Sequence, residues 1–354
     1  MTLSYSFYFF LKKSEAIIQS LFVRILLFFV SIATLIMILV FTVGCSNSHP
    51  PASQSTLVTI PQGIGLNEIA DLLHEQKILK SPLYFKVLAK LKKQDRQLKA
   101  GRYQLHQELS TSELLNILSS GNLYVQNVSI PEGATLWDIA GILKREIHID
   151  SLHFLQLVLD SRVGKQWNLP GNSLEGYLFP ETYQFYWEMD PRKIVEIMIT
   201  TFQKNIRNLM NLDSLPPPLI LKIVTLASII EKEAVLDEER QRISSVYYNR
   251  LKNRMRLQAD PTVQYALKKF HIPLSRKDLS IRNPYNTYLY QGLPPGPICN
   301  PGRTSLEAAI NPEVTDFLYF VAKGDKSGRH YFSLNLRDHI NAKNRAKRER
   351  LKIL

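Results

Sequence analysis

Residues 25–43 (ILLFFVSIATLIMILVFTV) form an unbroken run of nineteen positions without a charged side chain. A helix rising about 1.5 Å per residue needs roughly twenty such positions to cross the hydrocarbon core of a bilayer. The run therefore predicts a transmembrane helix at 25–44. Lys12, Lys13 and Arg24 precede it, and His49 with two prolines follows it. The bias of positive charge toward the inner side places residues 1–24 in the cytoplasm and the rest of the chain outside. A cleaved signal peptide has a shorter apolar core, about 7–15 residues, behind a shorter leader. Gly44-Cys45 hints at a lipoprotein signal, but Thr42 stands where Leu is usual. The expectation is an uncleaved single-pass anchor in the cytoplasmic (inner) membrane. The bulk of the chain is then outside, and periplasmic where an outer membrane exists.

That topology decides what the charge means. The formal net charge of +13 suits nucleic acid, anionic lipid or an acidic polymer equally well. Outside the cytoplasm there is no chromosomal DNA, so no nucleic-acid partner is expected; lipid head groups and, in a bacterium, the anionic wall remain. The basic excess is densest from Arg337 onward, with seven Lys/Arg against two acids, ending in a basic tail at 346–354. Two cysteines, Cys45 and Cys299, support neither a disulfide framework nor a structural zinc site. The eight histidines include no pair at i, i+3 or i, i+4. There is no HExxH, no Gly-rich phosphate loop after a strand and no G-x-S-x-G elbow. No metal and no cofactor is expected.

After a Ser/Pro/Asn-rich linker at 45–56 comes an internal repeat. Thr59–Leu73 reads TIPQGIGLNEIADLL and Ser129–Leu143 reads SIPEGATLWDIAGIL, with seven of fifteen positions identical. Each copy is a β-rich run ending in Ile-Pro, a Gly turn, and apolar residues at helical spacing, as at Leu66, Ile69 and Leu73. Ser81-Pro82 opens a second helix to about Leu91, a strand follows at Gly101–Leu105, and a helix at Thr111–Ser119 is capped by Thr111 or Ser112. Strand, helix, helix, strand over 57–126 resembles the small wall-polysaccharide-binding LysM module; a plain α+β spacer has the same layout. Beyond it, the stretch 173–183 (SLEGYLFPETY) is crowded with aromatics. The stretch 219–234 (LILKIVTLASIIEKEA) is an apolar helix opened by prolines. A second helix at Glu238–Met255 points Ile243, Val246, Tyr247 and Leu251 inward, and loops follow at 257–263 and 283–303. Strands at 318–322 and 329–333 form a hairpin across 323–328. The fold class is α+β.

The apolar helix ends in Glu231-Lys232-Glu233. A carboxylate there is a solvated helix end, a structural ion pair, or a general acid whose proton affinity burial raises. Periodicity does not choose between the acids: Glu231 follows Ala227 and Val224, and Glu233 follows Ile229 and Leu226. Asp260-Pro261 is expected to cap the next helix. Gln258, Asp260 and Thr262, with Tyr285, Asn286 and Thr287 in the next loop, supply the amides, hydroxyls and rings that sugars use. A proline-rich structural loop would show the same residues.

The quoted residues carry a family resemblance. The stretches 173–183 (SLEGYLFPETY), 226–234 (LASIIEKEA), 248–265 (YNRLKNRMRLQADPTVQY), 283–302 (NPYNTYLYQGLPPGPICNPG) and 319–333 (YFVAKGDKSGRHYFS) resemble the YceG-like endolytic murein transglycosylases, in the same order. With the anchor and the repeat, the resemblance covers nearly the whole chain. It implies a lyase at 127–345 that cuts nascent peptidoglycan strands internally between MurNAc and GlcNAc. Such a cut leaves 1,6-anhydro-MurNAc ends and terminates strand elongation. It also implies that Glu231, first acid of the EKE triplet, carries the acid and base steps alone, since the sugar's own 6-hydroxyl replaces water. Glu175, Tyr183, Gln258, Asp260, Thr262, Tyr285, Asn286 and Thr287 fall in the matching motifs as candidate substrate-binding positions. Peptidoglycan synthases are candidate partners. The 332–339 stretch FSLNLRDH departs from the family's FSxTxxEH, which puts Asn335 and Asp338 in question as substrate-reading positions. The competing expectation is a non-catalytic wall-binding scaffold that works through residues 57–126.

Overall fold

The computed structural model describes residues 55–207, 209, 215–270 and 272–352. The runs behind the expected cytoplasmic segment, anchor and most of the linker lie outside the described residues. Among the described residues no helix is long and apolar enough to cross a membrane. The fold is mixed α+β, with twelve α-helices and three two-stranded sheets among the described residues.

Both copies of the repeat fold as strand, glycine turn and helix. In the first, β1 (Ser55–Ile60) leads through Gly63 at φ +84° into α1 (Leu66–Glu75). Two further helices, α2 (Pro82–Leu91) and α3 (Thr111–Ser120), flank β2 (Gly101–His106), which pairs with β1. Their apolar faces share a core containing Val58, Leu73, Phe85, Tyr103 and Leu118. Helix α2 begins where the sequence placed it, with Ser81 Oγ accepting from Tyr84 N at 3.3 Å and Pro82 in the first turn. The cap of α3 is Ser110 rather than Thr111 or Ser112. Its Oγ accepts from Glu113 N at 3.2 Å while Glu113 Oε2 accepts from Ser110 N at 2.9 Å. The acid three residues on selects the cap by closing this reciprocal pair.

The second copy runs from β3 (Val125–Ser129) through Gly133 at φ +75° into α4 (Leu136–Ile147). A left-handed turn at that φ is cheap only for glycine. Thr135 caps α4, its Oγ1 accepting from Asp138 N at 3.2 Å. After α5 (Ser151–Leu159) and α6 (Ser161–Gln166), β4 (Thr182–Tyr186) runs antiparallel to β3, with Val125 opposite Tyr186 and Ser129 opposite Thr182. Helix α7 (Pro191–Arg207) then buries Ile194, Met198 and Phe202 against a second core.

That core centres on α8 (Pro217–Glu233), the predicted apolar helix, whose Ile220 and residues 223–230 are buried. Burying each such aliphatic side chain contributes about 1.5–3 kcal/mol. Helices α9 (Asp237–Lys252) and α11 (Arg303–Ile310) pack on α8 and on each other. The loop expected at 257–263 is in part helix α10 (Asp260–Leu267). Ala259 holds its N-cap position and no side chain caps it, so Asp260 is not the expected cap. The predicted hairpin is present as β5 (Tyr319–Ala322) and β6 (His330–Ser333), with Ala322 opposite His330. It is followed by α12 (Leu336–Leu351). Asn335 Oδ1 caps α12 by accepting from Asp338 N at 3.0 Å, and Asn335 Nδ2 donates to Asp338 Oδ2.

Candidate active site

Residues two apart on a helix point about 200° away from each other. The end of α8 therefore sends its two acids to different places. Glu231 lines a cavity of about 480 Å³ with Lys232, Gln264, Tyr265, Phe270 and Ile298. Glu233 lines another of about 530 Å³ with Gln258, Asp260, Tyr288 and His330.

The Glu231 side chain is only 6% exposed and is held at both oxygens. Oε1 pairs with Arg240 of α9 at 3.2 Å, and Oε2 accepts from Gly302 N, the N-cap residue of α11, at 2.9 Å. The positive end of the α11 dipole thus faces the carboxylate. Arg240 is buried and held in turn by Asp237 Oδ1 at 2.8 Å and by Ser305 Oγ. The segment bearing Gly302 is sewn to α8 and to the repeat turn. Ile298 N donates to Ser228 Oγ at 3.0 Å, Asn300 N to Ala134 O at 2.9 Å, and Gly133 N to Asn300 O at 2.9 Å. Beside this, Tyr265 packs against Tyr285 (ring centroids 5.0 Å apart) and against Trp137 of α4 (5.8 Å).

In the other cavity, burial and the charge of Asp260 push the carboxyl of Glu233 up to about 7. Tyr247 donates to Glu233 Oε1 at 3.2 Å, and Tyr288 donates to Asp260 Oδ1 at 2.5 Å. Asp260 is therefore a neighbour of Glu233, not of Glu231.

The remaining motif residues divide by burial. Gln258 is exposed on the Glu233 side, at φ +50°. Glu175 is fully buried, lines neither cavity, and is pushed up to about 8 by desolvation. Its Oε2 accepts from Leu136 N (3.3 Å) and Tyr265 Oη (3.2 Å), and its Oε1 from Asn300 Nδ2 (3.1 Å). Tyr183 is buried in β4 and donates to Phe179 O. Thr262 and Thr287 are buried, their hydroxyls 2.9 Å apart, and Thr287 Oγ1 accepts from Ala259 N. Asn286 is buried and donates to Leu279 O and Ile281 O. Glu175, through Tyr265, and the Thr262–Thr287 pair hold α10 at the wall of the Glu231 cavity, with Tyr285 as the partly buried ring against Tyr265.

Several residues of the site were not singled out by the sequence. Asn300 and Gly302 lay in a quoted motif without a distinguishing mark. Arg240 carried no signal, being one of several basic residues on an amphipathic helix. Among the described residues no group of three or more His, Cys, Asp or Glu is placed to hold a metal ion.

The α+β scaffold thus seats one carboxylate between a guanidinium and a helix-terminal amide, at the wall of a cavity lined by Tyr265 and Phe270. The profile of the YceG-like family matches residues 58–345. The chain belongs to the YceG-like family. It is 36% identical over 308 residues to the endolytic murein transglycosylase of Bacillus subtilis, covering 81% of this chain and 83% of that protein. It is 32% identical over 315 residues to the endolytic murein transglycosylase of Streptococcus pneumoniae, covering 80% of this chain but 56% of that longer protein. A crystal structure of a yceG-like protein from Listeria monocytogenes is 34% identical, with a TM-score of 0.55, covering 82% of this chain and 99% of that one.

Proposed function

We propose that the chain is a membrane-anchored endolytic lytic transglycosylase. It cleaves the MurNAc–GlcNAc bond of nascent peptidoglycan strands, leaves 1,6-anhydro-MurNAc ends and so terminates elongation. The observation that carries this reading is Glu231. It is the family-motif acid, and it stands at the wall of a cavity with the rings, amides and cation that an anionic polysaccharide needs. Relatives named for this activity support it.

Hydrolytic glycosidases use two carboxyl groups, one of them to activate water or to attack the sugar. A transglycosylase needs neither service, because the 6-hydroxyl of the muramic acid attacks its own anomeric carbon. What remains is proton traffic: the 6-hydroxyl must lose a proton, and the leaving oxygen must gain one. Glu231 gives a proton to the leaving oxygen and then, as the carboxylate so formed, takes the hydroxyl proton; such acid–base help is worth about 10²–10⁴-fold. Lys232, beside it in the cavity wall, suits the acidic groups of the strand. The 25–43 run anchors the protein in the cytoplasmic membrane, facing newly made strands and their synthases. The LysM-like βααβ layout of residues 57–126 serves to hold glycan near the site.

Digestion of purified uncrosslinked strands by the full-length protein in detergent, read by mass spectrometry, tests the reading. Internal fragments ending in anhydro-muramic acid are expected, and none from Glu231→Gln of unchanged circular dichroism. Reducing ends instead would make the protein a hydrolase, and equal cleavage by the variant would remove Glu231 from the chemistry.

A further inference from the structure

Helix α2 is apolar on two opposite faces. Phe85 and Ala89 are fully buried and turn inward, in the core that α1 and α3 share with it. Leu83, Val87 and Leu91 follow one another at intervals of four, which stacks them along the other face, with Tyr84 beside them. They are 74%, 48%, 75% and, for Tyr84, 57% exposed. No other helix among the described residues leaves four large apolar side chains in the open. Single exposed apolar residues are ordinary, but a continuous stripe of them marks a surface that meets something apolar.

The charge around the stripe is of one sign. From Lys77 to Lys99 there are eight Lys/Arg against one acid, Asp95, an excess of seven out of the chain's thirteen. Helix α2 contains no acid at all. Lys90 is exposed on it, and Lys80 and Lys93 are exposed just before and just after it. Two of the cations are engaged within the module: Lys86 pairs with Asp71 of α1 at 3.2 Å, and Lys92 donates to Ser112 Oγ. Resting on the membrane-anchored reading, we propose that this face of α2 lies on the bilayer that the 25–43 run anchors. Leu83, Tyr84, Val87 and Leu91 sit in the acyl boundary, and the lysines around them meet anionic head groups.

Two observations choose lipid over a protein as the occupant. An apolar face of Leu, Val and Tyr bordered by Lys is the composition of helices that lie in the interface of anionic membranes. The centre of a protein–protein contact is instead depleted in Lys. The chain also leads there. The uncharged run ends at Val43 and the described residues begin at Ser55. At about 3.3–3.6 Å per extended residue, the segment 44–54 spans at most roughly 40 Å. A module on so short a tether meets the bilayer at high effective concentration, so even a weak interfacial helix stays seated. Seating α2 fixes a height above the bilayer that the tether alone leaves free.

The test uses the full-length chain reconstituted into phosphatidylcholine vesicles with or without phosphatidylglycerol. Tyr84→Trp serves as the reporter, read against the wild type with its three native tryptophans. In vesicles containing phosphatidylglycerol the added tryptophan should emit further to the blue and be quenched by lipid brominated in its acyl chains. Quenching should be weaker without phosphatidylglycerol, and it should be lost when Leu83→Gln and Leu91→Gln are added to a chain of unchanged circular dichroism. A wild type released from the vesicles by alkaline carbonate would overturn the anchored reading and this inference with it. A chain that resists carbonate with the added tryptophan unquenched would overturn this inference alone. A blue shift without quenching would mean that α2 packs on a second copy of the chain, which also overturns it. Quenching that survives the two glutamines, or is no greater with phosphatidylglycerol, would refute the assignment of this face to an anionic lipid surface.

Discussion

Glu231 and Glu233 stand two positions apart on one helix and belong to different cavities, so their neighbours, not their sequence, give them different chemistry. Glu175 shows how far such surroundings reach. Its carboxyl is pushed from 4.5 up to about 8 by burial. Between those pH values the folded protein holds a proton that the unfolded chain has released. The stability from this group is therefore complete below about pH 4.5 and is lost as pH rises through about 8, by up to about 1.4 kcal/mol per pH unit. Two N–H donors, Leu136 N and Asn300 Nδ2, face it, one on each oxygen, and a glutamine offers only one oxygen. Glu175→Gln should therefore cost about 1–3 kcal/mol near pH 5, and the gap to wild type should close and then reverse as pH rises toward 8. Urea unfolding across that range checks it, and a gap independent of pH would mean that Glu175 is ionised in the folded protein. The motif 173–183 marked Glu175 as notable, but burial among three hydrogen-bond partners is a property of packing that no local pattern states.

Elements governed by neighbours along the chain were legible: α2 starts and stops where Ser81-Pro82 and its apolar spacing place it, and the 323–328 turn joins the predicted hairpin. Where partners were distant the sequence was silent or displaced. Asp260 looked like a helix cap, yet its carboxylate takes the hydroxyl of Tyr288, 28 residues on. The tie that matters most for the site is Asn300, fully buried. Its Oδ1 accepts from Gly176 N (3.0 Å) and Leu178 N (2.9 Å), and its Nδ2 donates to Ala134 O (2.9 Å) and Glu175 Oε1. It joins the repeat turn, the 173–183 loop and the segment leading to α11. Asn300→Ala leaves several of these groups buried without partners, and a loss of about 3 kcal/mol or more is expected in urea unfolding. A loss below about 1 kcal/mol would show that water or a shifted loop replaces the amide.

Over the whole molecule the charge of +13 is expected to act on binding of an anionic strand rather than on the chemical step. Ions screen charges over about 10 Å at 0.1 M salt, so raising salt should raise KM for anionic strands and leave kcat nearly unchanged. Steady-state kinetics between low and high salt checks this; a fall in kcat at constant KM would place the effect in the chemistry instead. By itself the sequence determined the membrane-length apolar run, the strand–turn–helix repeat, the α+β class and the buried helix ending in two acids. Its long motifs added the family resemblance and, through it, the preference for Glu231. Those features follow from residues close together along the chain, where hydrophobic period, caps and turns decide the outcome. The tertiary structure alone decided that Glu231 meets Arg240 and Gly302, that Asn300 ties the repeat turn to the segment leading to α11, and that Asp260 belongs with Glu233. The reason is that the site draws on residues from 133 to 302, and only close packing of α8, α9, α11 and the repeat turn brings groups so far apart in sequence within hydrogen-bonding reach.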